Sequence, residues 1–205
     1  MKRKSTYVFL ATALMMLVLA PGRFVYGFVL VVELNLIILT GTLSISLVKK
    51  LKLDEIQSVT VLFLMLAATI LYRQIIILIQ PEIVLTLGFL IYVIPLSFYS
   101  IGYIFADTEN KLSVRLKNNM IQSFVYSVFA LLFFLIRDLF GYGTFTFFGT
   151  GHQIYEKVII KAERTGLFSI IASIPGALIF SGILLSIHTF FRNKTDIVKK
   201  AEVCK

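Results

Sequence analysis

A multi-pass, all-α integral membrane protein is the fold class this sequence predicts, and three observations carry it. Of the 205 residues, 58% are hydrophobic and only 15% charged, with a mean hydropathy of +0.91. A soluble domain of this size has no use for so much apolar surface, whereas a bilayer has. Five apolar runs approach the roughly 20 residues that a helix needs to cross about 30 Å of hydrocarbon, and a shorter sixth run precedes them. Basic residues alternate from one connection to the next, as they do between the two sides of a membrane.

The first run, Tyr7–Ala20, is short. A helix of about 14 residues, at roughly 1.5 Å each, reaches only about 21 Å. It is either a short tilted span or a half-helix that continues as irregular backbone through "LAPGRF", where Pro21 and Gly22 stop it. Irregular backbone at membrane depth is tolerated only where protein or water covers it. Phe24–Val48 follows, with Gly27, Gly41, Thr42, Ser44 and Ser46 as small residues for close packing and Glu33 in its interior. The third run, Ile56–Gln80, holds Arg73 beside Tyr72 and Gln74. Ionisable groups at this depth are costly and face protein, so a Glu33–Arg73 pair would relieve both. The alternative for Arg73 is to snorkel to the outer interface.

The fourth run, Ile83–Ala106, contains Pro95, which removes a donor and clashes with the preceding turn. Ser97, Ser100 and Gly102 follow it, small or hydroxylated residues that suit a helix break. The fifth run, Asn119–Ile136, closes on Arg137, Asp138, Gly141 and Gly143: a helix end with charges at the interface and a tight turn beyond. Arg137 and Asp138 are neighbours, so on a helix they point about 100° apart and do not face each other. The longest polar connection runs from about Arg137 to Thr165. Gly166–Phe191 is the sixth run, with Pro175–Gly176 marking a capped or kinked entry.

If all six cross with the N-terminus inside, fourteen of the twenty Lys and Arg lie on the inner side and four on the outer, with Arg73 and Arg137 in or at spans. That bias places both termini in the cytoplasm, and the membrane expected is a bacterial-type inner (cell) membrane. It also accounts for the net charge of +9 without nucleic acid. The chain reads as one membrane domain over 1–205: a first half of about 1–80, a second of about 81–191, and a cytoplasmic tail at 192–205. The N-terminus also has the basic start and apolar core of a secretory signal. Pro21, directly after the would-be cut, disfavours cleavage, and the segment is expected to be retained. The single cysteine, Cys204, rules out an internal disulfide or a cluster held by several cysteines of this chain. His152 and His188 read as loop and interface residues, and no metal site is expected. No Ser-His-Asp, Cys-His or paired-carboxylate constellation occurs, so no catalytic residue is assigned.

Interruptions at Pro21–Gly22 in span one and Pro95 in span four fall at corresponding places in the two three-span halves. Three is odd, so a second copy would enter the membrane upside down. Matched Pro/Gly interruptions point to an inverted repeat with a functional midplane site; two ordinary proline kinks would leave the same trace.

The end of span five, "LLFFLIRDLFGYGTFTF" (Leu131–Phe147), resembles the Arg-Glu-Leu-Leu-Gly-x-Gly end of the fifth helix in the Rnf/Nqr family of six-helix membrane subunits, with Asp138 for Glu and Phe140 for Leu. "GTLSISLVKKL" (Gly41–Leu51) resembles the family's second-helix exit, and "IPGALIFSGILLSI" (Ile174–Ile187) its sixth helix. The likeness is nearest the RnfE/NqrD type and covers nearly the whole chain. It implies six transmembrane helices as an inverted three-plus-three repeat with helices one and four broken. It further implies a place in a redox-driven ion-translocating complex, beside a homologous six-helix subunit and other pump subunits.

In that family each broken helix carries a cysteine for a shared 2Fe–2S cluster. Here Ala20 stands where the first cysteine belongs, and Ile101 or Phe98 where the second does, depending on the anchor of the match. Cluster iron needs thiolate or imidazole ligands, so the cluster is expected to be lost and no cofactor is expected. The function expected is that of an electron- and ion-transport complex subunit without its own redox centre. The alternative is a stand-alone ion or small-solute transporter or channel component, in which Glu33, Arg73, Ser97 and Ser100 line a midplane site.

Overall fold

The structure is a computed structural model and describes residues 16–53, 55–100, 112–149, 153–160 and 169–203. Ile101, Gly102, His152 and Cys204 lie outside these, as do most of Tyr7–Ala20 and the ends of several expected spans.

Residues 16–19 are helical and lead into the Ala20–Arg23 interruption. Helix α1, Phe24–Lys50, then runs for 27 residues and ends on the basic pair Lys49 and Lys50, cations that suit the carbonyl end of a helix. Its interior hydroxyls do not disrupt it. Thr40, Thr42 and Ser44 each donate to the carbonyl four residues back, which satisfies them inside an apolar span.

Helix α2, Gln57–Ile79, stops before Pro81. A residue preceding proline is pushed out of the helical region, and Gln80 adopts φ −150° and ψ 89°. Pro81 opens α3, Pro81–Leu87, in the position where its missing N–H costs nothing. At Gly88 the backbone turns to φ +52°, and α4, Leu90–Ser100, leaves at 56° to α3. The interruption of the fourth run thus falls at Gly88–Phe89. Pro95, expected at the break, instead lies buried inside α4. Proline is tolerated within membrane helices because neighbouring groups re-satisfy the freed carbonyl, whereas a positive φ is open to glycine at no steric cost.

Helix α5, Leu112–Ile136, begins earlier than the expected Asn119 and runs on into a π-helical turn, Arg137–Tyr142. Gly143, at φ 68° and ψ 16°, ends that turn with its N–H on the Asp138 carbonyl. The connection read as a polar loop contains an antiparallel hairpin of β1, Thr144–Phe148, and β2, Ile154–Val158, in register from Thr144↔Val158 to Phe148↔Ile154. The all-α expectation is corrected to this extent. "TFTFF" alternates β-branched and aromatic residues, a strand pattern, and the hairpin folds onto the start of α1. Phe24 stacks on Phe145 at 5.3 Å, Phe28 meets Phe148 edge-on at 5.8 Å, and Arg23 pairs with Glu156. Gln80 Nε2 donates to the carbonyls of Gly149 and Gln153 at 2.9 and 3.1 Å, tying the hairpin turn to the α2–α3 corner.

A short helix α6, Ser169–Ala172, and a long one, α7, Ile174–Val203, meet at Ser173. Ser173 Oγ donates to Ile170 O at 2.6 Å and accepts from Gly176 N at 3.2 Å. Any side chain at Gly176 would collide with the Ile170 carbonyl.

The chain is mostly helical. Among the described helices α1, α2 and α5 with its π turn are long and apolar enough to cross a membrane, and the bent pair α3–α4 makes a fourth. These are the helices of a membrane protein. The core lies where α1 packs between α2 and α5, with Leu34, Ile37, Ile38, Met65, Phe133 and Phe134 fully enclosed.

Candidate functional site at the helix break

The Ala20–Arg23 interruption leaves carbonyls exposed on its upstream side and N–H groups on its downstream side, as every helix end does. Both sides are closed by the dipeptide Arg137–Asp138. Arg137 is 0% exposed. Its Nη1 donates to Leu17 O and Ala20 O, both at 3.0 Å, its Nη2 to Ala172 O at 2.9 Å and its Nε to Ile171 O at 3.2 Å. One guanidinium therefore caps two helix C-termini: the segment before the break and α6. The faces of Phe133 and Phe134 lie 5.7 and 5.9 Å from it, at cation–π range.

Asp138 is likewise 0% exposed. Its Oδ2 accepts from Phe24 N at 3.1 Å, Thr146 N at 2.8 Å and Thr146 Oγ1 at 2.7 Å, and its Oδ1 from Thr144 Oγ1 at 2.9 Å. It is the N-terminal anion of α1, supplied from a distant segment, since Arg23 in the N-cap position makes no side-chain cap. Both charged groups are buried within the protein. They do diverge as the sequence implied, each taking its own side of the gap.

The glycines of the motif divide the remaining work. A Cβ on Gly141 would stand 2.7 Å from Ala172 Cβ, so its role is close packing onto α6, while Gly143 makes the turn. Gly22 lies under Arg137, where a Cβ would come within 3.1 Å of Nε. Pro21 is half-buried in the break.

A second polar feature escaped sequence reasoning. Along the α1–α5 contact, Ser123 Oγ donates to Asn35 Oδ1 at 2.7 Å, and Asn35 Nδ2 donates to Ser127 Oγ and Val31 O, both at 2.8 Å. Further along, Asn119 Nδ2 donates to Thr42 Oγ1 at 3.1 Å, and Arg115 Nη2 to Thr42 O and Ser46 Oγ at 2.9 and 2.8 Å. Arg115, counted among loop cations, is only 2% exposed. The ladder ends where Ala130, Phe133 and Phe134 close the interface, all essentially unexposed. Such interhelical bonds are packing glue in a membrane.

The expected Glu33–Arg73 pair does not form. Glu33 is buried with neither carboxyl oxygen hydrogen-bonded, and Arg73 Nε is buried without a partner too. Both lie on helices whose relative register the sequence does not reveal. Ser100 is exposed at the end of α4 and takes no part in the Arg137–Asp138 arrangement.

A shallow apolar crevice at the break is lined by Met16, Leu19, Ala20, Leu30, Leu90 and Val93. An iron–sulfur cluster does not fit this donor set. The Ala20 methyl and the Phe98 ring, each 1% exposed, carry no ligating atom, and neither would isoleucine at 101.

The fold and the break together define a class: a helical membrane protein in which a buried Arg–Asp dipeptide staples the non-helical Ala20–Arg23 segment ahead of α1. No family model matches the chain, and no curated protein matches it significantly.

Proposed function

We propose that this chain is an integral membrane subunit of the kind found in redox-driven, ion-translocating Rnf/Nqr-type complexes, without an iron–sulfur cluster of its own. In this reading it has six spans as an inverted three-plus-three repeat, lies in the cell membrane with both termini cytoplasmic, and pairs with a similar six-helix subunit.

One observation carries the reading. Two residues of the family-like motif, Arg137 and Asp138, hold the two sides of the Ala20–Arg23 break, while Gly141 packs on α6 and Gly143 ends the turn that carries them. A motif that closes a break has reason to persist after the ligand once held there is gone. The fourth run is also interrupted, at Gly88–Phe89 rather than at Pro95.

Gentle detergent extraction followed by affinity capture and mass spectrometry tests it. The expected result is recovery of a second six-helix protein with flavin- or ferredoxin-like subunits, and no stoichiometric iron or sulfide on this chain. Recovery of the chain alone, with solute or ion flux on reconstitution, would support the second reading, a stand-alone transporter or channel component. That reading is favoured by the unpaired carboxyl of Glu33 inside α1.

A further inference from the structure

The α1–α2 interface holds a carboxyl that the helix break does not use. Glu33 is 0% exposed. Among the described residues its two oxygens have no hydrogen-bond partner, and it joins no ion pair. It sits well inside α1, a helix apolar enough to cross a bilayer.

Side chains on a helix lean toward its N-terminal end, so the Glu33 carboxyl overlies the turn of Val29 and Leu30. Two features converge on that turn. Tyr72 of α2 places its hydroxyl there, donating to Val29 O at 2.7 Å. Leu30 lines the crevice at the helix break, and it lies one turn from Glu33 on the same face. The crevice at the break therefore reaches along α1 to within one helical turn of Glu33.

The titratable groups on the elements packed against α1 are Tyr72 and Arg73 on α2, Tyr92 and Tyr99 on α4, and Arg115, Lys117 and Tyr126 on α5; β1 contributes none. Arg115 is engaged by Thr42 and Ser46, and Arg73 makes no ion pair with Glu33. No cation of the described chain neutralises the group. An isolated carboxylate in an apolar interior is too costly to persist, so a cation must bind it. A metal ion demands several oxygen ligands, and among the described residues no group of three or more carboxylate, histidine or cysteine side chains surrounds Glu33 to supply them. A proton needs only the carboxyl itself.

We propose that Glu33 is a proton-binding site within the membrane span, whose carboxyl is held protonated and exchanges its proton with the aqueous phase by way of the helix break. This holds whichever reading of the function is right, since it concerns one side chain and no partner.

Infrared difference spectroscopy on membranes containing the full chain tests it, comparing wild type with Glu33→Gln at neutral pH in H2O and in D2O. The expected result is a protonated-acid C=O band in the wild type that Glu33→Gln lacks. The band should move to lower frequency in D2O before the amide groups of the spans have exchanged. A carboxylate signature in its place, an acid band that stays fixed in D2O, or conversion to carboxylate when sodium replaces potassium would each overturn the proposal. Should Glu33→Gln fail to accumulate, dicyclohexylcarbodiimide labelling of the wild type, mapped by peptide mass spectrometry, decides. An adduct on Glu33 that forms more slowly as pH rises supports the site, and its absence there overturns it. None of these outcomes depends on the affinity capture above, so the two ideas fail separately.

Discussion

Replacing Arg137 with alanine removes the group that holds the upstream side of the Ala20–Arg23 break. Four carbonyls, of Leu17, Ala20, Ile171 and Ala172, lose their charged donor at once, and Asp138 loses the adjacent positive charge while staying buried. Each buried carbonyl left without a donor costs about 1–3 kcal/mol, so partial relaxation at the four still leaves a cost of about 3–5 kcal/mol. At about 1.36 kcal/mol per decade, that is roughly two to four orders of magnitude in the folding equilibrium. Lysine at the same place keeps the charge but has three donors on a single nitrogen in place of the guanidinium's planar fork. It leaves one or two carbonyls unpaired, at about 1–3 kcal/mol each. The expected order of stability is therefore wild type, then Arg137→Lys, then Arg137→Ala. The chain has no tryptophan, so the assay is far-ultraviolet circular dichroism across an SDS titration in mixed micelles. Expression and partner capture should fall in parallel. An Arg137→Ala protein that unfolds at the same SDS fraction as wild type would refute the reasoning. One that folds normally and loses only an activity would move Arg137 from scaffold to direct function.

Two further substitutions separate the downstream side of the break from ordinary interhelical packing. Thr146→Val removes one hydroxyl bond to Asp138 and one contact from Val25 N, and should cost about 1–3 kcal/mol in the same titration, with the Thr146 N bond retained. Asn35→Ala breaks the ladder to Ser123 and Ser127, but membrane interhelical bonds average only about 0.6 kcal/mol. It should therefore be milder than Arg137→Ala, and a loss of equal size would show that the ladder does more than glue helices.

Much of this architecture was open to reading because apolar run length is a direct record of bilayer thickness. α1 and α2 lie close to where hydropathy puts them. The first break was equally plain, since Pro21 and Gly22 leave the backbone little choice. Pro95 misled for a physical reason. Proline marks a lost donor, and a membrane helix absorbs that loss, whereas the bend needed a positive φ that only Gly88 supplied. The hairpin carried a usable signal in the alternation of "TFTFF" followed by Gly149, obscured by its place in a polar connection. The partners of Arg137, Asp138, Arg115 and Asn35 were out of reach, because each depends on how helices far apart in sequence are rotated against one another. For the same reason Glu33 and Arg73 looked like a pair and are not.

A missing turn of helix has a polarity of its own: oxygen-rich on one lip, hydrogen-rich on the other. The two neighbouring residues that bridge it here match that polarity in order, cation then anion, and together add no net charge to the buried site. Exchanging them would preserve composition, size and total charge yet set like against like on both lips. In this protein the order of one dipeptide, rather than its content, is what matches the two lips of the break.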